Sequence, residues 1–437
     1  MISRLLKLRH SSFLRSTATL SGGQLLATMI GFSFAPILSR LYTPQDYGVL
    51  ATYTAVAVIL GMIANLCLSR AVVAEADEDQ AHALLGLCLL LAIGFAGLTL
   101  GLVLLFSAVD FAGLEQLGFW LFLLPATVLA SGTGSALLAW ANRHHRYRLM
   151  SSYQLVNVIG ASGGALALAW AGFGPRGLML GYFLGQFAAL LCIWVGNRDV
   201  LPSLRRVNWT RMKRAGGAHR NYMVWTTPTA LIENISSASP VLVLSFWGNM
   251  LGIVGHYNRA RGLLMMPMGM LGSSIAQVFF RRAAQDMARD GHCRTIFWRL
   301  IAGMTAISLP SFAVLALIAP QLFVFVLGPQ WSEAGHIARI LAPVMALQLI
   351  VMPASKVIWL YGRQRLDFFL SVLFAVTTTS AVASVAFLGF EPEIAIDVFA
   401  GVQILLYLAY LASSILIVER DHRARQEQIA ETAPIRK

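Results

Sequence analysis

Twelve apolar runs of eighteen or more residues occupy most of this chain, and they leave it few ways to fold. About 20 apolar residues at 1.5 Å rise per residue cross a hydrocarbon core of about 30 Å as a helix. The runs cover approximately residues 17–39, 47–69, 83–109, 117–139, 151–172, 177–196, 222–246, 250–274, 298–320, 340–361, 367–389 and 396–418. They predict an all-α integral membrane protein with twelve transmembrane helices. A composition of 57% hydrophobic and 12% charged residues over 437 positions is far from that of a soluble domain. The basic tip Arg4, Lys7 and Arg9 precedes a first run that is too long for a secretory leader and lacks a small-residue cleavage site, so it reads as a retained helix.

Orientation follows from the basic residues. The odd-numbered connections hold only Arg40, Arg176 and Arg339, and Arg259, Arg261 and Lys356 lie inside runs. The other twenty-seven of thirty-three basic residues fall in the even-numbered connections and the two tails, counting with them Arg299 at the first turn of the ninth run. The positive-inside rule then places both termini in the cytoplasm. The net charge of +13 is a consequence of topology, which removes the main argument for a nucleic-acid partner. The basic stretch around Arg205, Arg206, Arg211, Lys213, Arg214 and Arg220 is a topology determinant that can also touch anionic headgroups.

Several chemistries find no support. Cys67, Cys88, Cys192 and Cys293 have no metal-type spacing. His144 and His145 sit in a basic "NRHHRYR" turn, where a solvated loop is the expectation and a metal site is not. No lysine follows a glycine, so there is no phosphate-cradling P-loop. No cofactor, no metal and no catalytic constellation is expected, and a polymerase or ligase would need a longer outward loop than any here.

A shift of 204 positions sets Pro36 on Pro240, Gly48 on Gly252 and Tyr53 on Tyr257. Runs one to six therefore read as repeated in runs seven to twelve. Six is even, so the halves enter with the same orientation, a parallel repeat of the kind that places a transporter's substrate site between its halves. The expected organisation is a lobe at 1–200, a basic cytoplasmic linker at 201–220, a second lobe at 221–420 and a cytoplasmic tail at 421–437. Gly177, Gly181 and Gly185 form a small-residue stripe for close helix approach.

The informative charges are Glu233 in the seventh run and Arg259 and Arg261 in the eighth. Glu233 lies eleven residues after Tyr222, roughly 16 Å from the cytoplasmic end of its run, and the arginines lie roughly 14–16 Å from the outer end of theirs. Charges at that depth normally face a cavity or a partner. Two cations against one anion favour an anionic ligand, with a Glu233–Arg259 pair that only fixes two helices as the simpler alternative. Arg259 and Arg261 also point about 200° apart on an ideal helix, so both reach one cavity only if it is wide or the helix is broken. Lys356 is close enough to its helix end to snorkel, and Met265, Met266, Met268 and Met270 offer an adaptable surface or plain packing.

"SRLYTPQDYGVLATY", "GHYNRARGLLMMP" and "LGPQWSEAG" resemble stretches of the polysaccharide-transporter (Wzx-like) oligosaccharide flippase family, within the multidrug/oligosaccharidyl-lipid/polysaccharide exporter superfamily. That resemblance implies a MATE-like fold of two six-helix bundles. It implies transport of an undecaprenyl-pyrophosphate-linked oligosaccharide, such as an O-antigen, capsule or exopolysaccharide repeat unit, from the cytoplasmic to the periplasmic leaflet of a bacterial inner membrane. The expected partners are this substrate, membrane lipids and a glycan polymerase or chain-length regulator. Tyr257, Asn258 and Arg259 match the family's eighth-helix stretch and join Arg261 and Glu233 as the expected substrate-binding set, while Gly328 and Trp331 match an external-loop motif with a structural role. One departure is the absence of a proline after Val278, where Phe279, Phe280, Arg281 and Arg282 follow. A drug/cation antiporter of the same superfamily is the alternative, kept open by Glu233.

Overall fold

The computed structural model describes the backbone of residues 2–108, 115–200, 208–248, 250–391 and 394–432. Among them every regular element is a helix. They are α1 (Ile2–Leu41), α2 (Pro44–Ile63), α3 (Leu68–Ala74), α4 (Glu78–Ala108), α5 (Leu124–Arg143), α6 (Tyr147–Trp170), α7 (Arg176–Gly196) and α8 (Trp209–Ala218). There follow α9 (Thr227–Gly248), α10 (Leu251–Asp290), α11 (Arg294–Leu327), α12 (Ser332–Ala354), α13 (Lys356–Leu360), α14 (Gln364–Phe387) and α15 (Ile394–Thr432). Twelve are long, and each matches one of the twelve apolar runs. Among the described residues ten spans are long and apolar enough to cross a membrane. α6, at 24 residues, is diluted by polar side chains such as Gln154 and Asn157.

The break after α1 is a capping box. Thr43 accepts a hydrogen bond from the Asp46 amide at 3.3 Å, the Asp46 carboxylate accepts from the Thr43 amide at 2.8 Å, and Pro44 opens α2. "TPQD" thus ends one helix and starts the next by satisfying first-turn donors that would otherwise be orphaned.

The chain divides into two compact units, Met1–Gly255 and His256–Lys437. Within the first unit α9 packs on α2. Thr52 and Ser245 share a hydroxyl hydrogen bond, and the Asn234 amide donates to the Met62 sulfur at 2.9 Å. Arg205 and Arg206 lie outside the described residues, while α8 rests on α4 through Ala215 and Gly216 and keeps Arg211, Lys213 and Arg214 exposed.

In the first unit α6 and α7 approach backbone to backbone. A Cβ on Gly181 would stand 2.5 Å from the Ala165 amide nitrogen, and one on Gly185 would overlap the Asn157 carbonyl. The glycine stripe read from the sequence is this contact. The connections joining the even ends of the helices are tied by ion pairs: Arg143 with Glu78, Arg146 with Asp199 and His219 with Glu75. The Glu75 carboxyl is held below its usual range, first by the Asp77 amide and then by His219, and Arg146 does the same for Asp199.

In the second unit α11 and α12 form a tight antiparallel hairpin. Gly328, at φ 114°, ends α11 in a conformation that side chains resist. A Cβ on Gly335 would come within 2.6 Å of the Pro320 Cα. The core at the other end gathers Phe279, Phe297, Val357, Ile358 and Val418 from α10, α11, α13 and α15.

Candidate functional site

The sequence stretch "GHYNRAR" opens the second unit on α10. Tyr257 is fully buried, with its ring edge-on to Phe399 at 5.9 Å, and its hydroxyl has no hydrogen-bond partner among the described residues. One turn later Arg261 lies within electrostatic range of the Tyr257 and Tyr407 hydroxyls. Tyr407 packs on Phe374 at 5.1 Å, and Tyr410 donates to the Asp367 carbonyl at 3.2 Å while sharing a 2.9 Å bond with Ser371. A half-buried cation of α10 therefore lies near two phenols, Tyr257 of α10 and Tyr407 of α15, with Tyr410 one turn further along α15.

Arg259 points elsewhere. Its guanidinium carbon stands 6.0 Å from the centre of the Trp331 ring, and His256 meets the same ring edge-on at 5.5 Å. Trp331 is wholly buried just after Gly328. The two stretches "GHYNRAR" and "LGPQW", some seventy positions apart, thus meet through one indole, with the cation–π contact adding to the packing. The 200° divergence read from helical spacing corresponds to these two destinations: Trp331 for Arg259, and the tyrosine cluster for Arg261.

Of the other expected residues, Asn258 is exposed on α10. Glu233 is exposed on α9, in the first unit. Sequence reasoning missed Tyr407, Tyr410 and Gln403. The signal was present: Gln403, Tyr407, Tyr410 and Ser414 follow a helical spacing through an apolar run, one polar stripe on one face.

The first unit has a cavity of its own, of about 380 Å³, lined by Asn65, Arg70, Ser131, Ser135, Tyr182 and Gln186 among others. Asn65 is held there by bonds from its amide to the Gly132 carbonyl at 3.1 Å and to Ser135 at 2.8 Å. The lining is rich in neutral hydrogen-bonding groups. Among the described residues no group of three or more His, Cys, Asp and Glu side chains is placed to hold a metal ion.

A helical bundle with a cation near phenols in one unit and a polar cavity inside the other has the architecture of a multi-pass membrane transporter, and solved structures share that fold. The chain matches the lipid II flippase MurJ in an inward closed conformation with a TM-score of 0.64 at 14% identity, over 91% of this chain and 87% of that one. It also matches a MATE protein in its bent conformation with a TM-score of 0.54 at 15% identity, over 94% and 96% of the two chains. The chain belongs to the family of polysaccharide biosynthesis proteins, whose model matches residues 37–336. Over 368 residues it is 25% identical to the succinoglycan biosynthesis transport protein ExoT of Rhizobium meliloti (strain 1021), covering 80% of this chain and 70% of that protein. The relatives are transport proteins and flippases, not enzymes, and the Wzx-like resemblance read from the motifs agrees with the family.

Proposed function

We propose that this protein moves an undecaprenyl-pyrophosphate-linked oligosaccharide from the cytoplasmic to the periplasmic leaflet of a bacterial inner membrane, with both termini in the cytoplasm. The observation that carries the reading is the pair of cations in the apolar α10, Arg259 with its guanidinium 6.0 Å from the Trp331 ring and Arg261 one turn after the buried Tyr257. A cation kept there at a cost of a few kcal/mol suits a cargo whose head bears pyrophosphate. Arg259, beside Trp331, is its second cation, and Asn258 and Glu233 complete the expected binding set. The polar cavity of the first unit, with Arg70 on its wall, suits sugar hydroxyls, since Asn65, Ser131, Ser135, Tyr182 and Gln186 offer donors and acceptors there. Six-helix lobes at 1–200 and 221–420 alternate access while the polyprenyl tail stays in lipid. The cargo class is that of O-antigen, capsule or exopolysaccharide repeat units, and a glycan polymerase or chain-length regulator is the partner that would receive it.

Glu233, an acid within an apolar span, supports the rival reading of a drug/cation antiporter. One experiment separates them. Lipid-linked oligosaccharide is resolved by leaflet in a deletion strain supplied with wild type or Arg259→Ala. Build-up on the cytoplasmic leaflet that only wild type relieves, at equal expression, is the expected result. Normal glycan export together with heightened sensitivity to cationic drugs would move the assignment to the antiporter.

A further inference from the structure

We propose that the hairpin between α10 and α11 holds a second site, for a phosphate-bearing headgroup, at the opposite end of α10 from Arg259 and Arg261. From Arg261 to Arg282 is twenty-one residues, roughly 30 Å along a continuous helix, so the two sites are distinct.

A cavity of about 700 Å³ opens between the end of α10 and the start of α11. Arg282, Arg289 and Arg299 line it, with Asp286 as its one acid, a surplus of two positive charges before His292 is considered. Neither Arg282 nor Arg299 makes a hydrogen bond or ion pair with another described residue. Nearby carboxylate is already engaged: Glu419 accepts from Arg294 and from the Trp298 indole, both at 2.8 Å. The first turn of α11 adds to the field. Its N-cap, Cys293, supplies no side-chain hydrogen bond, the turn contains no acid, and Thr295 and Ile296 of that turn line the cavity. Uncapped amide donors at a helix start attract anions. The Nδ1 atom of His292, on the same wall, is buried with no partner among the described residues.

Four independent features thus converge on one void, and each favours an anion with several acceptor oxygens. Arginines suit phosphate in particular, because their planar fork donates two parallel bonds to it. The remaining wall is apolar, with Ile275, Phe279 and Leu300. A phosphate at the arginine rim with a hydrocarbon chain along that wall fills both parts. The ligand is an anionic amphiphile, either a bulk anionic phospholipid or the polyprenyl phosphate end of a lipid-linked cargo, which share this chemistry.

The test uses the purified full-length chain in detergent and follows its thermal unfolding with three probes: inorganic pyrophosphate, farnesyl pyrophosphate and short-chain phosphatidylglycerol. Wild type is expected to be stabilised by at least one amphiphilic probe, with apparent affinity falling at least about tenfold in Arg282→Gln/Arg299→Gln and unchanged in Arg281→Gln, whose side chain does not line the cavity. Arg299→Gln alone serves if the double variant does not fold. Farnesyl pyrophosphate acting alone identifies the cargo lipid as the source, and equal action of phosphatidylglycerol identifies the bulk membrane. Equal stabilisation of wild type and the folded variants by every probe, or by none, overturns the site. The outcome is separate from that of the flippase reading, because the readout needs no transport and Arg259→Ala leaves this site intact.

Discussion

Tyr53 and Tyr257 stand at the same place in the two halves of the repeat, each fully buried in its own unit, and their surroundings have diverged. Tyr53 shares a 2.6 Å hydrogen bond with Thr127 and packs edge-on against Tyr182 and Phe183. Tyr257 has no such partner among the described residues, and Arg261 lies close by. The same shift of 204 places Ala55 and Ala57 where the second half has Arg259 and Arg261. Ala57 is buried in an apolar cluster with Val103, Leu121 and Met179. Duplication therefore accounts for the scaffold and not for the chemistry. Alanine is what the position needs for packing alone, so an arginine there, costly to bury, is the mark of a task.

The sharpest way to break this comparison is to make the second half resemble the first. Arg261→Ala, and separately Arg259→Ala, should cut transport of the lipid-linked cargo at least about tenfold, as expected when a charged partner of an anion is removed, with protein levels unchanged. Export in cells expressing each variant measures it. The reverse changes, Ala55→Arg or Ala57→Arg, would not rescue those variants.

A second contrast lies in helix packing. Gly181 and Gly185 bring α6 and α7 into backbone contact, whereas Gly97 and Gly101, at the same spacing in α4, have nothing among the described residues within 4 Å of where a Cβ would stand. Gly181→Val should cost about 1–3 kcal/mol or more, since its Cβ meets main chain that has no room to yield. Folded yield after detergent extraction is the measure, and Gly97→Val should be far milder.

The tyrosines themselves give a smaller, directional effect. Tyr53→Phe removes a buried hydroxyl bond and should cost about 1 kcal/mol, while Tyr257→Phe should be within a few tenths of neutral, because no bond to a described residue is lost. Thermal unfolding of the two purified variants decides it.

The smallest effect concerns the surface clamp of the first unit. Asp199, paired with Arg146, has its carboxyl held below the usual range, so the pair's contribution is present above about pH 4 and is lost as pH falls through the lowered native value. With its side chain 54% exposed, Asp199→Asn should cost no more than about 1 kcal/mol at pH 7, and nothing once the carboxylate is protonated. Unfolding of both proteins across that pH range reads the difference.

Much of the scaffold was legible because it is written locally. Each of the twelve apolar runs became a long helix, and Gly181 and Gly185 were readable as a packing stripe before their neighbours were known. The packing of α9 on α2 was not, since nothing local in α9 announces that Ser245 bonds to Thr52. The site was half legible. Arg259 and Arg261 stood out as charges in an apolar run and their divergence followed from helical geometry, but Trp331 and Tyr407 are reached only by tertiary folding. The depth of 14–16 Å read for the arginines counted residues along one helix, which says nothing of the α11–α12 loop folding back so that Trp331 meets Arg259.

The most direct test of the central claim is flipping of a polyprenyl-pyrophosphate-linked oligosaccharide in proteoliposomes containing wild type, Arg261→Lys or Arg261→Ala. If the second half's cation handles the pyrophosphate, wild type is fastest, lysine retains part of the rate and alanine falls at least about tenfold. Flipping by folded Arg261→Ala at the wild-type rate would contradict it.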